Sequence, residues 1–254
     1  MFVRLQRGGI AYDLAGGDGQ RSETSNFRIS TEGTFQRVEY IEQDAFDQFF
    51  RGGSSTSISF DSVLTFSTLS EAESYLLGMP QGLVNQAGQT ATIGRLTADG
   101  TKQVETLTVA TGATGDGNID YTFTAADVGT ITGSVPVTSG QTESQIAFAI
   151  AAYLRENASF AFRYNVTSTI AIPSGPADVI ITKKVADTND GTLALTIANG
   201  TPSPGITGAT SANTTAGVAP TISNSKTLTS VSCIINLAQQ GVSIAQNVTL
   251  IGKY

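Results

Sequence analysis

One segment of this chain, TESQIAFAIAAYLREN from Thr142 to Asn157, carries a strong helical period, and short strand-like runs flank it on both sides. Thr142 and Gln145 stand at capping-box spacing, Ile146, Ala149, Ile150, Tyr153 and Leu154 recur on one face, and Asn157 ends the repeat. Before it come VETLTVA, DYTFTA and GSVPVTSG; after it come FAFRYNVTSTI, DVIITKKV and GTLALTIAN. Each run alternates apolar with polar residues and is bounded by Gly, Asn or Asp, as half-buried antiparallel strands are. A lone helix among such strands packs most economically across the sheet they form. Residues 101–220 are therefore expected to make an α+β module with one helix on an antiparallel sheet.

The flanks, residues 1–100 and 221–254, read as mainly β. FVRL, GIAYDL, NFRIS, FQRVEYIE and SISFDSVLTFSTL have strand character, and a strand pair is expected around TATIGRLTAD. SEAESYLLGMP changes period: Ala72, Tyr75, Leu76 and Met79 share one helical face, and Gly78 and Pro80 stop it. DAFDQFF, from Asp44 to Phe50, fits a helical turn or a bulged strand equally. The final TLTSVSCIINLAQQGVSIAQNVTLIGKY holds two or three strands, too few to fold alone. They are expected to complete the sheet begun before residue 100, which makes 101–220 an insertion between two strands of the flanking β domain.

Composition narrows the chemistry. Charged residues make up 14% of the 254, against about 25% in ordinary soluble domains. Such a surface is usually covered by neighbours or by hydroxyl and amide side chains. The net charge of −7, with no basic run longer than Lys183-Lys184, disfavours nucleic-acid readout. There is no His and a single Cys233, which removes the commonest general base, Cys-based zinc and any internal disulfide. Cys233 lies in the apolar run VSCIINL and reads as a small core residue. No apolar stretch is long enough to span a bilayer, and MFVRLQRGG has no signal-type apolar run, so synthesis and assembly in a cytoplasm are expected.

The remaining motifs are structural in this reading. TGATGDGN, Thr111 to Asn118, lacks the order and the following helix of a phosphate loop and is expected to be a turn. DTNDG, Asp187 to Gly191, has its Gly one place early for a calcium loop and lacks the distal Glu, so Asx turns are expected there. Glu71 with Glu73 and Asp44 with Asp47 are close in sequence, but the chain has no Trp to form a sugar platform. Lys183 and Lys184, adjacent in a strand, face opposite ways and do not make a Ser-Lys dyad. No enzyme, cofactor or metal site is expected.

ANGTPSPGITGATSANTTAGVAP, Ala198 to Pro220, has no charged residue. It has many backbone groups able to pair and is expected to pack as a connector, lying over the inserted module or returning the chain to the flanking β domain.

The run TLTVATGATGDGNIDYTFTAADVGTITGSVPVTSGQTESQIAFAIAAYLREN, followed by DVIITKKVADTNDGTLALTIANGTPSPGITGATSANTTAGVAP, resembles a domain that recurs in virion proteins of tailed bacteriophages. The marks that carry it are Thr182-Lys183-Lys184, Asn189-Asp190, Ile197-Ala198-Asn199-Gly200, Gly205-Ile206-Thr207 and Ser211 through Gly217. They cover residues 103–217. The acidic β-rich flanks, with SEAESYLLGMPQGL and a last strand NVTLIGKY, look like the domains of phage tail tubes and tail adaptors. That resemblance implies a β-sandwich or barrel with a flanking helix. It further implies homo-oligomeric rings joined edge to edge, other tail or neck proteins as partners, and DNA only as passing cargo through an acidic lumen. It places the protein in the virion and involves no membrane. On this reading Gly16, Gly17, Asp18, Gly19, Asp44, Phe46, Phe49 and Phe50 are candidate inter-ring contacts, and Glu39, Glu42 and Asp61 are candidate lumen carboxylates. A neck or distal-tail adaptor, a capsid decoration protein and a module binding host-surface carbohydrate are the alternatives.

Overall fold

The computed structural model describes residues 2–7, 10–15, 21–33, 54–65, 69, 72, 82–85, 90–171 and 175–253. It is mainly β, with antiparallel sheets, and divides into two compact units. In chain order the strands are β1 (Phe2–Arg7), β2 (Ile10–Ala15), β3 (Arg21–Gly33), β4 (Ser54–Thr65), β5 (Gly82–Asn85), β6 (Thr90–Ala98), β7 (Val104–Val109), β8 (Gly117–Ala125) and β9 (Gly129–Val137). Helices α1 (Glu143–Glu156) and α2 (Ala158–Arg163) follow. The chain continues through β10 (Tyr164–Ser168), β11 (Ala177–Lys183), β12 (Ala194–Asn199), β13 (Ala209–Thr210), β14 (Ala212–Thr215), β15 (Thr221–Gln240) and β16 (Ser243–Lys253).

The first unit draws its described residues from 1–72, 79–97 and 222–254. Its strands form one eight-stranded sheet in the order β2-β1-β6-β15-β16-β4-β3, with β5 also on β15. The C-terminal strands thus sit at the centre of a sheet whose edges come from the N-terminal third. Along β16 Ile244, Val248 and Leu250 are wholly buried, while Asn247 and Ile251, on the alternate phase, are exposed. Cys233 stands in register with buried Leu250 on one side and Val84 on the other. Only β6 runs through 90–98, where a strand pair is expected from the sequence. Of the SEAESYLLGMP helix only Ala72 is described, and it is helical, as is Leu69 just before the segment; the rest lies outside the described residues, as do FQRVEYIE and DAFDQFF.

Residues 98–221 make the second unit, built on two four-stranded antiparallel sheets, β10-β11-β7-β14 and β13-β12-β8-β9. Helix α1 starts with a full capping box: the Gln145 N–H donates to Thr142 Oγ1 and the Thr142 N–H donates to Gln145 Oε1. Its buried face is Ile146, Ala147, Ile150, Ala151 and Leu154, rotated from the sequence expectation. Ala149 is half-buried and Tyr153 is exposed. The small Ala147 and Ala151 let the helix backbone approach the sheet.

FAFR, expected to begin a strand, is instead the helix α2. Asn157 both ends α1 and caps α2, its Oδ1 accepting the Phe160 N–H at 3.1 Å. The short turn drives Phe160 into the core, where it meets Phe123 edge-on at 4.9 Å. Extending those residues would have carried Phe160 away from this contact.

The Thr/Ala/Gly/Pro stretch is woven into the second unit. After a cis Thr201-Pro202 bond, the carbonyls of Pro202 and Pro204 accept N–H groups from Asn118, Thr114 and Gly115. A Cβ at Gly117 would collide with the Pro202 carbonyl, so glycine is what lets the two backbones touch. Strand β13 then pairs with β12, and β14, one residue later, pairs with β7 in the other sheet. One uncharged segment thereby joins both sheets. Val218 closes a bridge with Thr101, bringing the two ends of the unit together.

Candidate assembly site

Asp61 is the one sequence-predicted site residue that can be placed. Gly16, Gly17, Asp18, Gly19, Glu39, Glu42, Asp44, Phe46, Phe49 and Phe50 all lie outside the described residues. Asp61 is half-buried at the middle of β4, opposite Ser25 on β3 and Asn247 on β16, and its Oδ1 accepts from Asn247 Nδ2. Register places Asp61 on the face that also carries exposed Arg28, Ser30, Thr65 and Asn247. The buried row Ile244, Val248 and Leu250 belongs to the opposite face. The sheet therefore has one apolar side and one of mostly hydroxyl and amide groups, on which Val63 and Ile251 are also exposed.

In the second unit the glycine-rich loop uses its amides internally. Ala113 N–H donates to the Gln141 carbonyl, and Thr114 and Gly115 donate to Pro204, so these donors are not presented to a phosphate. In DTNDG, Asp187 Oδ1 accepts the Thr188 N–H. Asp190 Oδ1 accepts both the N–H and the hydroxyl of Thr192, and its Oδ2 accepts the Ala126 N–H. Both oxygens of Asp190 are committed to holding turns. No cluster of three metal-ligating side chains occurs among the described residues.

The surrounding chemistry is a buried polar lock that sequence reading missed. Gln103, 1% exposed, donates Nε2 to the Asp190 carbonyl at 2.9 Å and accepts the Asp190 N–H at 2.7 Å. Its amide thus pairs with a main chain as a neighbouring strand would. The same Nε2 donates to Glu105 Oε1, and Ser211 Oγ donates to Glu105 Oε2. Ser211 sits between β13 and β14, at the point where the chain changes sheets. Nearby, the Tyr164 hydroxyl donates to Asp127 Oδ1 at 2.5 Å and Lys183 Nζ lies 3.7 Å from Asp127 Oδ2. Burial, reinforced by that bond to Asp127, pushes the Tyr164 phenol far above its usual range. The one signal in the sequence was Glu105 itself, a carboxylate on the same alternating phase as Leu107 and Val109.

Burial raises the Glu105 carboxyl above its ordinary 4.5, opposed by the bonds from Gln103 and Ser211. For Asp190 burial also raises the carboxyl, but the bonds from Thr192 and Ala126 and the nearby Lys183 outweigh it and hold it below 3.8. The two groups act on stability with opposite signs. A raised carboxyl contributes fully below its unfolded value and loses that contribution as pH rises through the folded one. A lowered carboxyl loses its contribution as pH falls. Glu105→Gln is therefore expected to gain stability relative to the wild type as pH rises from 4 to 7. Melting temperatures of both proteins across that range check this, with Asp190 present in both. A gap that stays constant would show that Glu105 does not titrate in this window.

A groove of about 920 Å³ runs beside α1, lined among others by Gln145, Phe148, Arg155, Thr167 and Ile170. Phe148 is 60% and Ile170 76% exposed. Arg155 stretches across it, with its guanidinium 6.0 Å from the Phe148 ring and Nε donating to the Val166 carbonyl.

Compared with protein-family models and with curated proteins, the chain matches none. Among the described residues no helix is long and apolar enough to cross a membrane.

Proposed function

We propose that this protein is a structural, non-enzymatic subunit of a bacteriophage tail, assembling as rings that form the tube through which DNA passes. The observation that carries this reading is the eight-stranded sheet of the first unit, with a wholly buried apolar row on β16 and a low-charge reverse face around Asp61. A sheet with the last strands of the chain at its centre and the first ones at its edges suits a ring wall with an insertion leaving one connection. The reverse face suits a surface that meets neighbouring subunits or the lumen, where hydroxyl and amide groups bind DNA weakly and a carboxylate repels its phosphates. In this reading the first unit is the tube-forming β domain and residues 101–220 are a decoration inserted into its chain.

Electron microscopy of the purified protein in negative stain, with mass photometry at rising concentration, tests the proposal. Rings that stack into tubes are expected. A particle that remains monomeric at every concentration removes the self-assembling tube and leaves the neck adaptor or decoration protein. Copy number per virion then separates those two from a tube, since an adaptor forms a single ring.

A further inference from the structure

We propose that β9 is an assembly edge, pairing antiparallel with β9 of a second copy of this chain in the register that sets Thr132 opposite its own counterpart. Exposed sheet edges offer unpaired N–H and C=O groups to other chains, and proteins protect them by shortness, irregularity or charge. The other edges of the 98–221 unit are protected in these ways. Strand β13 has two residues. Strand β14 is four residues long, breaks register between Asn213 and Thr215, and is held from outside by Asn189, which accepts from Asn213 Nδ2 and the Gly217 N–H. Strand β10 is five residues long and has its Val166 carbonyl occupied by Arg155.

Strand β9 has none of these devices. All nine of its residues pair with β8 without a shift, and no charged residue occurs from Gly129 to Thr142. Pro136 does not guard it either, because of where its nitrogen points. Asn118, its partner on β8, gives its N–H to Pro202 and its carbonyl to Gly200, both on the side away from β9. In an antiparallel ladder the pair Asn118 and Pro136 is then a non-hydrogen-bonded one. It follows that Thr130, Thr132, Ser134 and Pro136 all direct their main-chain groups outward, and the alternate residues bond β8. Among the described residues nothing hydrogen-bonds the outward groups of Thr130, Thr132 and Ser134.

A second copy fits this edge better than an arbitrary strand. Symmetry about Thr132 sets Thr130 opposite Ser134, so each outward N–H finds a carbonyl and Pro136 falls beyond the paired residues. The side chains match as well. Thr132, Thr122, Thr196 and Thr210 lie in register across all four strands and are all exposed. Pairing about Thr132 continues that hydroxyl row into the second copy. On the inner side Ile131 meets Gly133, which the Tyr121 ring already covers so closely that no Cβ would fit. The absence of charge removes repulsion between identical edges. The pairing is two-fold and independent of the tail reading.

Amide hydrogen exchange on the full chain tests it. In the wild type the amides of Thr130, Thr132 and Ser134 are expected to slow by more than an order of magnitude as protein concentration rises. Those of Ile131, Gly133 and Val135, bonded to β8, are slow throughout. Thr132→Pro removes an outward N–H that β8 does not use, and Thr132→Lys puts a charge at the two-fold while leaving the backbone unaltered. Both are expected to restore fast exchange at Thr130 and Ser134, with Ile131 and Val135 still slow as proof that β9 remains folded. Fast exchange of the outward amides at every concentration would overturn the proposal. So would protection that is independent of concentration, or that survives Thr132→Lys.

Discussion

Replacing Phe123 with Ala is expected to destabilise the 98–221 unit by about 3–5 kcal/mol, the usual cost of truncating a buried aromatic side chain. Phe123 is fully buried on β8 and presents its ring to two others. It lies edge-on to Phe160 of α2 at 4.9 Å and to Tyr164 of β10 at 5.1 Å. These rings belong to one hydrophobic core shared by both sheets and α1. Truncation therefore removes the lost transfer energy, the edge-on ring contacts and the packing that seats Phe160. Denaturant unfolding, followed by hydrogen exchange of peptides from 98–221 so that the other unit does not obscure the transition, measures the shift. A loss below about 1 kcal/mol would mean that the neighbouring side chains collapse into the space.

Gln103→Ala is expected to cost about 3 kcal/mol or more, although the residue contributes little apolar area. The cost arises from what it abandons. The N–H and carbonyl of Asp190 lose the amide that mimics a paired strand, and Glu105, 3% exposed, loses one of its two donors. Each buried polar group left unsatisfied costs roughly 1–3 kcal/mol. Gln103→Leu separates this from simple loss of volume, since it fills the space without restoring the bonds. Equal destabilisation by both variants is expected, and recovery by Leu would show that packing alone matters at this position. Both variants should also speed exchange at the Asp190 and Thr192 amides, because the turn they hold is anchored through the same side chain.

Periodicity in the sequence located most of the strands of the second unit and the start of α1, because alternation and a capping box are local properties that survive any tertiary arrangement. In the sequence Asn157 marks the end of α1, but its second role as the cap of α2 is not legible there. FAFR has the apolar alternation of a strand, and the Asn157 cap together with the contacts of Phe160 with Phe123 and Tyr164 favours turning it. The face of α1 shifted for a similar reason: alanines at 147 and 151 carry little hydrophobic signal, yet they set how closely the helix approaches. The candidate site was less legible still. Asp61 could be placed in a strand, but which face it occupies depends on the register with β16, and register is a relation between segments far apart in the chain.

What the sequence by itself determined is the material: β-rich segments around a strong helix, a surface poor in charge, no His, and one cysteine in an apolar run. These follow from composition and from periods a few residues long. Tertiary structure alone decided that the uncharged stretch from Ala198 to Pro220 joins the two sheets, that Gln103 serves as a surrogate strand for Asp190, and that β9 is left as an open edge. Each depends on which main-chain groups find partners across long loops, and the backbone carries the same donor and acceptor at nearly every residue.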